Sequence, residues 1–507
     1  MAKPFIHYSP RESGEYAYVY TPRKVKGKKV NDPQYIGRVI DKEKGIFRNR
    51  EQGYFTFSLE KGFGNVSADD ELVITKSLPK EEKLILDFGD IYCLHTALSG
   101  WDIYKPISAI LPNDSDTLLS LLGFKLLSHM SNKHAKDWWE GSYAQILYPN
   151  AKLRSQRISE FYQKLGDEVV HRKFFNEYLS VICQNRRTGA LIDSTGLPND
   201  IHFPLTAIST QGGVTSNETK LLYVVDRKTE LPLFFRYNAG NIVDVTTLRS
   251  TIAELEAMGV DIEHAIVDAG YYSDDNIRDL YDETEHGQRI PFLTRLKSNR
   301  KLYKDLVNEH VDDLSKSKYM IMQRNRLMSV KRVEVDLFDH TGYAYVAIDH
   351  DRRKEEVHKY AKEAIQNKDI SHEEMDEAIK RKGLFILISS ERIEENEILP
   401  LYYTRQTIEQ VFDICKNNAD LLPLRVHNED TFRGHLLLSF IVTVIYLKLN
   451  QMLDQSDFYA QNALFILRNQ KCKVYDDRII PKEPTKKMND IYKLLHIKSP
   501  IYIPMRW

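Results

Sequence analysis

Cysteine is scarce in this chain: Cys93, Cys183, Cys415 and Cys472 lie far apart and form no C-x-x-C pair. Neither a disulfide framework nor a zinc site is indicated. The 16 histidines contain no H-E-x-x-H arrangement or other paired ligand spacing. Net charge is missing as well, since 71 Lys and Arg stand against 72 Asp and Glu, a formal −1 over 507 residues. That is unlike a small, uniformly basic DNA-binding domain, so any nucleic-acid surface must be local. The start, Met1-Ala2-Lys3-Pro4-Phe5, lacks the apolar core of a signal peptide. The apolar run from Leu436 to Leu447 falls short of the roughly 20 residues that a membrane span needs. It reads as a buried core helix in a cytoplasmic protein.

What is present is a chain long enough for several domains. The first hundred residues look β-rich, with strand-like Tyr16 to Tyr20 and Gln34 to Ile40 separated by a basic turn from Arg23 to Lys29. Lysines on such a hairpin tip could track a DNA backbone without reading sequence, and a solvated loop explains them equally well. Positive charge also gathers in 295–332, with 11 Lys/Arg against 4 Asp/Glu, and in 1–60, with 12 against 7. Most charge clusters are solvated surface, so these are supporting observations. Residues 115–183 read as helical, and the stretch Ser155 to Gly166 carries Arg154, Gln156 and Arg157 near its start. Packing explains that helix better than groove reading, and the adjacent Trp138 and Trp139 read as core braces.

From about residue 189 the pattern becomes strand, strand, strand, helix, strand, helix, strand, which fits an α/β fold. Ala190-Leu191-Ile192-Asp193 and Ala265-Ile266-Val267-Asp268 are apolar runs ending in an acid, each followed closely by glycine. Neighbouring parallel strands would bring both acids to one crevice, where like charges require a cation. Either acid alone is more ordinarily a turn former or helix cap. The stretch 300–390 exceeds what the pattern needs and reads as an insertion: strands at Val330–Leu337 and Tyr343–Ile348, a charged helical middle, and a strand at Gly383–Ile388.

The segment Tyr402 to Lys416 then aligns four polar side chains. At about 100° per residue, Tyr402, Arg405, Glu409 and Lys416 fall within an arc of roughly 60°, beside an apolar flank of Ile408, Val411, Phe412 and Cys415. Arg405 and Glu409 alone could be an ordinary surface pair worth a few tenths of a kcal/mol. The whole spacing, Tyr, two residues, Arg, three residues, Glu, six residues, Lys, resembles the Y-R-E-K signature of transposases of the insertion-sequence-4 type. The Asp268-Ala269-Gly270-Tyr271 stretch is similar to that family's second acidic motif, here with an additional tyrosine, Tyr272.

The resemblance covers about 189–450 and implies a DDE transposase. Its α/β fold would be a ribonuclease-H-like mixed sheet with flanking helices, interrupted by a strand-containing insertion. N-terminal β-rich and helical DNA-binding regions would precede it. The ranges it implies are 1–110 β-rich, 111–188 helical and end-binding, 189–299 and 391–460 catalytic core, 300–390 insertion, and 461–507 a tail with a candidate oligomer contact. It further implies Asp193, Asp268 and Glu409 as the catalytic, metal-holding triad, with two Mg2+ ions, Mn2+ able to substitute, and Asp193 bridging both. Tyr402, Arg405 and Lys416, with Arg295 and Lys297, would contact DNA. The implied partners are terminal inverted repeats and target duplex DNA, and a second copy in a homodimeric synaptic complex, nucleoid-associated when DNA is bound. Two alternatives stand beside this: a catalytically silent DNA-binding derivative, and a metal-dependent nuclease without strand transfer.

Overall fold

The computed structural model describes residues 3–505 apart from 12–13, 26–27, 50–51, 68–69, 71–82, 129, 185, 200–202, 212–213, 243, 282–288, 367–369, 420, 423 and 425. The side chains of 24–25, 28–29, 210–211 and 214 are also outside the described set. The chain is mixed α/β and divides into two compact units, one of residues 1–83 with 475–477, the other of 84–474 with 478–507.

The first unit is one antiparallel sheet in chain order: β1 (Phe5–Arg11), β2 (Gly14–Val25), β3 (Lys28–Asp41), β4 (Ile46–Asn49), β5 (Gly53–Ser58) and β6 (Gly62–Asn65). Alternation along the strands buries Ala17, Val19, Ile36, Phe47 and Phe55 together on one face. The expected hairpin is β2–β3, longer than read, and pairs as far as Val25 with Lys28. The lysine side chains of its tip, Lys24, Lys26, Lys28 and Lys29, lie outside the described residues. Among the elements with described bounds the first helix is Gly89–Ser99, inside the range read as β-rich, and the compact β unit comprises 1–83 with 475–477.

In the second unit, β7 (Leu84–Asp87) leads into helices Gly89–Ser99, Ser115–Leu127, Ser155–Leu165 and Glu168–Cys183. Ser115–Leu127 is buried from Thr117 onward, as befits a helix that is apolar on every side. Asp167 caps Glu168–Cys183 by accepting from the amides of Val169 and Val170. Trp138 packs edge-on against Phe124, and the Trp139 indole donates to the Tyr148 carbonyl, so both tryptophans brace the core.

Ten strands then form the central sheet: β8 (Thr188–Pro198), β9 (Ala207–Gln211), β10 (Val214–Asp226), β11 (Pro232–Ala239), β12 (Ile262–Val267), β13 (Phe292–Arg295), β14 (Met320–Gln323), β15 (Arg326–Asp336), β16 (Thr341–Asp349) and β17 (Leu384–Ser389). Their order is β11-β10-β8-β12-β13-β17-β16-β15-β14, with β9 paired to β10. Among the described residues only β8 with β12 and β12 with β13 run parallel in this sheet. One sequence expectation needs correcting. β8 does not end at Asp193; it continues through Gly196 because antiparallel β10 pairs with it as far as Pro198. The strands of 300–390 belong to the central sheet, since β17 hydrogen-bonds to β13 and prolongs it.

The apolar run expected as a core helix is part of Glu429–Met452, 24 residues, capped by the Asn428 side chain on the Thr431 amide at 2.8 Å. By length and composition it could cross a bilayer, yet 83% of its apolar window is buried in the protein. After it, β18 (Lys471–Val474), β19 (Arg478–Pro481) and β20 (Ile503–Pro504) join β7 in a small sheet. The long helix crosses Ser155–Leu165 where Gly166 and Gly434 face each other, and a methyl on either would overlap the Asp430 or the Tyr162 carbonyl.

Gly434→Ala should therefore force the helices apart and cost about 1–3 kcal/mol or more. Gly141→Ala meets nothing within 4 Å and should leave the thermal midpoint almost unchanged. Equal midpoints for the two variants would show that the crossing is not close-packed.

Candidate active site

The parallel ladder between β8 and β12 ends at Ile192 opposite Val267, so the next residue on each strand, Asp193 and Asp268, stands at the same edge of the sheet. Asp268 opens the short turn Ala269–Tyr271. The third acid comes from the polypeptide that packs across these strands. Tyr402 to Lys416 is not one unbroken helix there: Ile398–Tyr403 stops, Thr404 and Arg405 turn, Gln406–Asp413 follows, and Ile414–Asn418 widens into a π-turn. Ile408, Val411 and Phe412 are buried beneath it, with Phe412 stacked on Tyr223 of β10 at 5.5 Å between ring centres.

The break aims Arg405 at all three acids. Its Nη1 donates to Asp193 Oδ2 at 2.7 Å, its Nη2 donates to Glu409 Oε1 at 3.0 Å, and the same Nη2 lies 3.7 Å from Asp268 Oδ1. Tyr402, almost wholly buried, donates its hydroxyl to Asp268 Oδ1 at 3.5 Å. Burial, seconded by the Asp268 charge, pushes that phenol up to about 12. Burial also pushes Asp193 up to about 6, against the pull of Arg405 and of the Ser194 amide that donates to its Oδ1. Burial works against the charge of Arg405, but Asp268 and Asp193 outweigh it and the guanidinium is held more firmly protonated.

A cleft of about 170 Å³ opens beside this cluster, lined by Asp268, Arg295, Tyr402, Arg405 and Glu409, with Asp349 and Arg352 opposite. Asp193 has only 16% of its side chain exposed, whereas Glu409 has 57%. Arg295 lies over the Phe385 ring at 5.7 Å. Lys297 donates to the Gly270 carbonyl at 3.4 Å, so it ties down the loop after Asp268. Lys416 leaves the cluster: the π-turn carries its ammonium to Thr195 Oγ1 at 2.6 Å, two residues beyond Asp193 on β8. Burial lowers its pKa.

Asp244, Lys220 and Ser194 escaped the sequence reading. Asp244 Oδ1 accepts from Ser194 Oγ at 2.6 Å and from Lys220 Nζ at 3.2 Å, next to Asp193. A lysine preceding the apolar run of a central strand, buried at 8% exposure, is the signal that could have found them. Four side chains of the basic stretch at 295–332 meet partners within the fold. Arg326 pairs with Asp349, Lys331 with Asp313, and Arg332 with Glu394 and Glu395, while Arg324 donates to Gln406. These four are partnered within the fold and make no free phosphate-binding patch.

Oxygen donors of this kind suit a hard divalent cation such as Mg2+, and the guanidinium occupies the point toward which they converge. Among the described residues no three His, Cys, Asp or Glu side chains close on one another as a ready metal cage; here the acids are spaced by Arg405. Arg405→Gln removes that cation. The melting temperature in chelator and low salt should then fall by the equivalent of about 2 kcal/mol, and millimolar Mg2+ should restore most of it. A fall that Mg2+ does not reverse would mean that the three acids do not share a cation site.

No curated protein matches the chain. Among solved structures, a cryo-EM structure of a piggyBac transposase synaptic complex with hairpin DNA is similar at a TM-score of 0.37 and 10% sequence identity, covering 75% of this chain and 79% of that one. That distance is too great for the likeness to bear on the site. A family model matches far more directly: the transposase DDE domain aligns with residues 184–445, more than half the chain and the whole of the acidic cluster. The chain belongs to the transposase DDE domain family.

Proposed function

We propose that the chain is a DNA transposase of the insertion-sequence-4 type. It binds the terminal inverted repeats of its element, cuts DNA by metal-dependent phosphodiester hydrolysis and joins the 3′ ends to target DNA by transesterification. The observation that carries this reading is the convergence of Asp193, Asp268 and Glu409 on Arg405 beside an open cleft. Carboxylates gathered from separate elements in this way suit phosphoryl transfer with two cations. The order β11-β10-β8-β12-β13, three antiparallel strands followed by two parallel ones, supports a ribonuclease-H-like core across 189–299 and 391–460. Residues 300–390 are then an insertion that widens the core sheet, with 111–188 meeting the element end and 461–507 meeting a second copy.

Asp193, Asp268 and Glu409 would hold Mg2+ or Mn2+, which when bound would supply the charge that activates a water or 3′-hydroxyl and steadies the leaving oxygen. The protein's own groups do the positioning. The Ser194 amide fixes the Asp193 carboxylate, and the Tyr402 hydroxyl fixes that of Asp268. Arg405, once the acids are neutralised otherwise, can grip two phosphate oxygens in bidentate fashion. Arg295 lines the same cleft, and Lys416 donates to Thr195, two residues beyond Asp193 on β8. The duplex partners are inverted-repeat and target DNA, the working form is a homodimeric synaptic complex, and its setting is the cytoplasm, at the nucleoid.

Asp193→Asn, Asp268→Asn and Glu409→Gln should each reduce cleavage of the element's own end DNA by about a thousandfold, some 4 kcal/mol, while DNA binding persists. Cleavage by the intact chain without joining of 3′ ends would leave the nuclease reading; binding without cleavage in Mg2+ or Mn2+ would leave the silent DNA-binding reading. Wild-type rates from any one acid variant would remove that residue from the triad.

A further inference from the structure

The outer face of the N-terminal sheet is lined in a way that the core on its other side does not explain. Strand register sets Phe5 opposite Tyr20, His7 opposite Tyr18, and Tyr18 opposite Tyr35. All of these point away from the face that buries Ala17, Val19 and Ile36. The rings meet at 5.6 Å for Phe5 and Tyr20, 5.1 Å for His7 and Tyr20, and 5.4 Å for Tyr18 and Tyr35. Phe5 is 43% and Tyr35 50% exposed.

A second row crosses the same face. Ser9, Tyr16, Arg38, Arg48 and Tyr54 stand directly opposite one another on β1 to β5. Arg11 lies over the Tyr16 ring at 5.5 Å and donates to the Tyr18 hydroxyl at 2.9 Å, while Arg48 lies over Tyr54 at 5.2 Å.

Aromatic cross-strand pairs alone could serve the sheet by packing against one another. The arginines cannot be explained so. Like charges directly opposite on neighbouring strands destabilise a sheet, and among the described residues neither Arg38 nor Arg48 has an acidic partner. Both are exposed. The face therefore presents ring faces side by side with uncompensated guanidinium groups, and residues 1–60 as a whole carry 12 Lys/Arg against 7 Asp/Glu.

We propose that this face is a binding platform for unpaired DNA bases, with Tyr18, Tyr35, Tyr20 and Phe5 stacking on bases and Arg11, Arg38 and Arg48 meeting the backbone phosphates. The proposal rests on the reading of the chain as a DNA-acting enzyme and assigns one of its surfaces to single strands. Bases inside a duplex have both faces covered by their neighbours, so a row of rings is of use only where bases are unstacked. A polyanion also relieves the Arg38 and Arg48 repulsion, which a neutral peptide would not. A docking peptide strand would need an open edge, whereas these residues lie on the face of the sheet.

The test is binding of the full chain, by fluorescence anisotropy, to an oligothymidine of about 20 nucleotides, to a duplex of the same length, and to an abasic sugar-phosphate strand. The wild type should bind oligothymidine about tenfold or more tighter than the abasic strand. The pair Tyr18→Ala and Tyr35→Ala should lose that margin while duplex affinity stays within about twofold, and Tyr18→Phe with Tyr35→Phe should keep it. Arg38→Gln with Arg48→Gln should weaken oligothymidine and abasic strand alike and flatten the salt dependence of both. Equal wild-type affinity for oligothymidine and the abasic strand overturns the platform even if the alanine pair fails to fold, and so does an equal loss of duplex and single-strand binding in that pair. Duplex cleavage decides the function reading separately: a chain that cuts end DNA but ignores bases loses only the platform, and one that stacks bases but never cuts loses only the transposase assignment.

Discussion

Three carboxylates are drawn to one guanidinium at the centre of this protein, and much of the local architecture follows from that. Unit charges about 4 Å apart interact by roughly 4 kcal/mol at the effective dielectric of a protein surface, so Asp193, Asp268 and Glu409 repel one another at any spacing useful for shared cation binding. Arg405 offsets the repulsion with a 2.7 Å bond to Asp193 and a 3.0 Å bond to Glu409. It can do so because the polypeptide turns between Ile398–Tyr403 and Gln406–Asp413. The apolar side of Gln406–Asp413, seated on β10 through Phe412 and Tyr223, holds the turn in place.

Charge elsewhere in the molecule obeys the same economy of partners. The stretch 295–332 looks like a phosphate-binding patch when counted along the chain, yet Arg326, Lys331 and Arg332 find Asp349, Asp313, Glu394 and Glu395. Those acids come from β16, a short turn and the loop after β17, brought alongside by the sheet that β14 to β17 extend. The N-terminal unit differs: Arg38 and Arg48 oppose each other on neighbouring strands, and among the described residues neither has an acidic partner. A local excess of positive charge is thus structural in one place and available in the other, and only the neighbours across the fold distinguish the two.

Strand register explains why the acids meet at all. Parallel pairing of β8 with β12 stops at Ile192 and Val267, which sets the following aspartates at one edge although β8 itself runs on. Gly196, which reads as a turn, stays extended because β10 continues to pair beside it. The three strands read after residue 300 stand as an insertion because 300–390 exceeds what the strand and helix pattern needs. They lie in the central sheet, since β17 is apolar up to Ser389 and buried along its whole length between β13 and β16, and such a strand needs partners on both sides.

The sequence by itself determined the α/β pattern, the two acid-ended strands, the spacing from Tyr402 to Lys416 and the burial of the long apolar helix, because each is written in local periodicity that hydrophobic burial must obey. Tertiary structure alone decided that Lys416 turns to Thr195 instead of joining Arg405 at the acids, because a π-turn shifts it off the ideal helical arc. It also decided that Asp244 and Lys220 stand next to Asp193, that Arg324, Arg326, Lys331 and Arg332 are partnered within the fold, and that among the described residues Arg38 and Arg48 meet no acid on the tyrosine-lined face of the N-terminal sheet. All of these depend on contacts between residues tens to hundreds of positions apart, which no local pattern encodes.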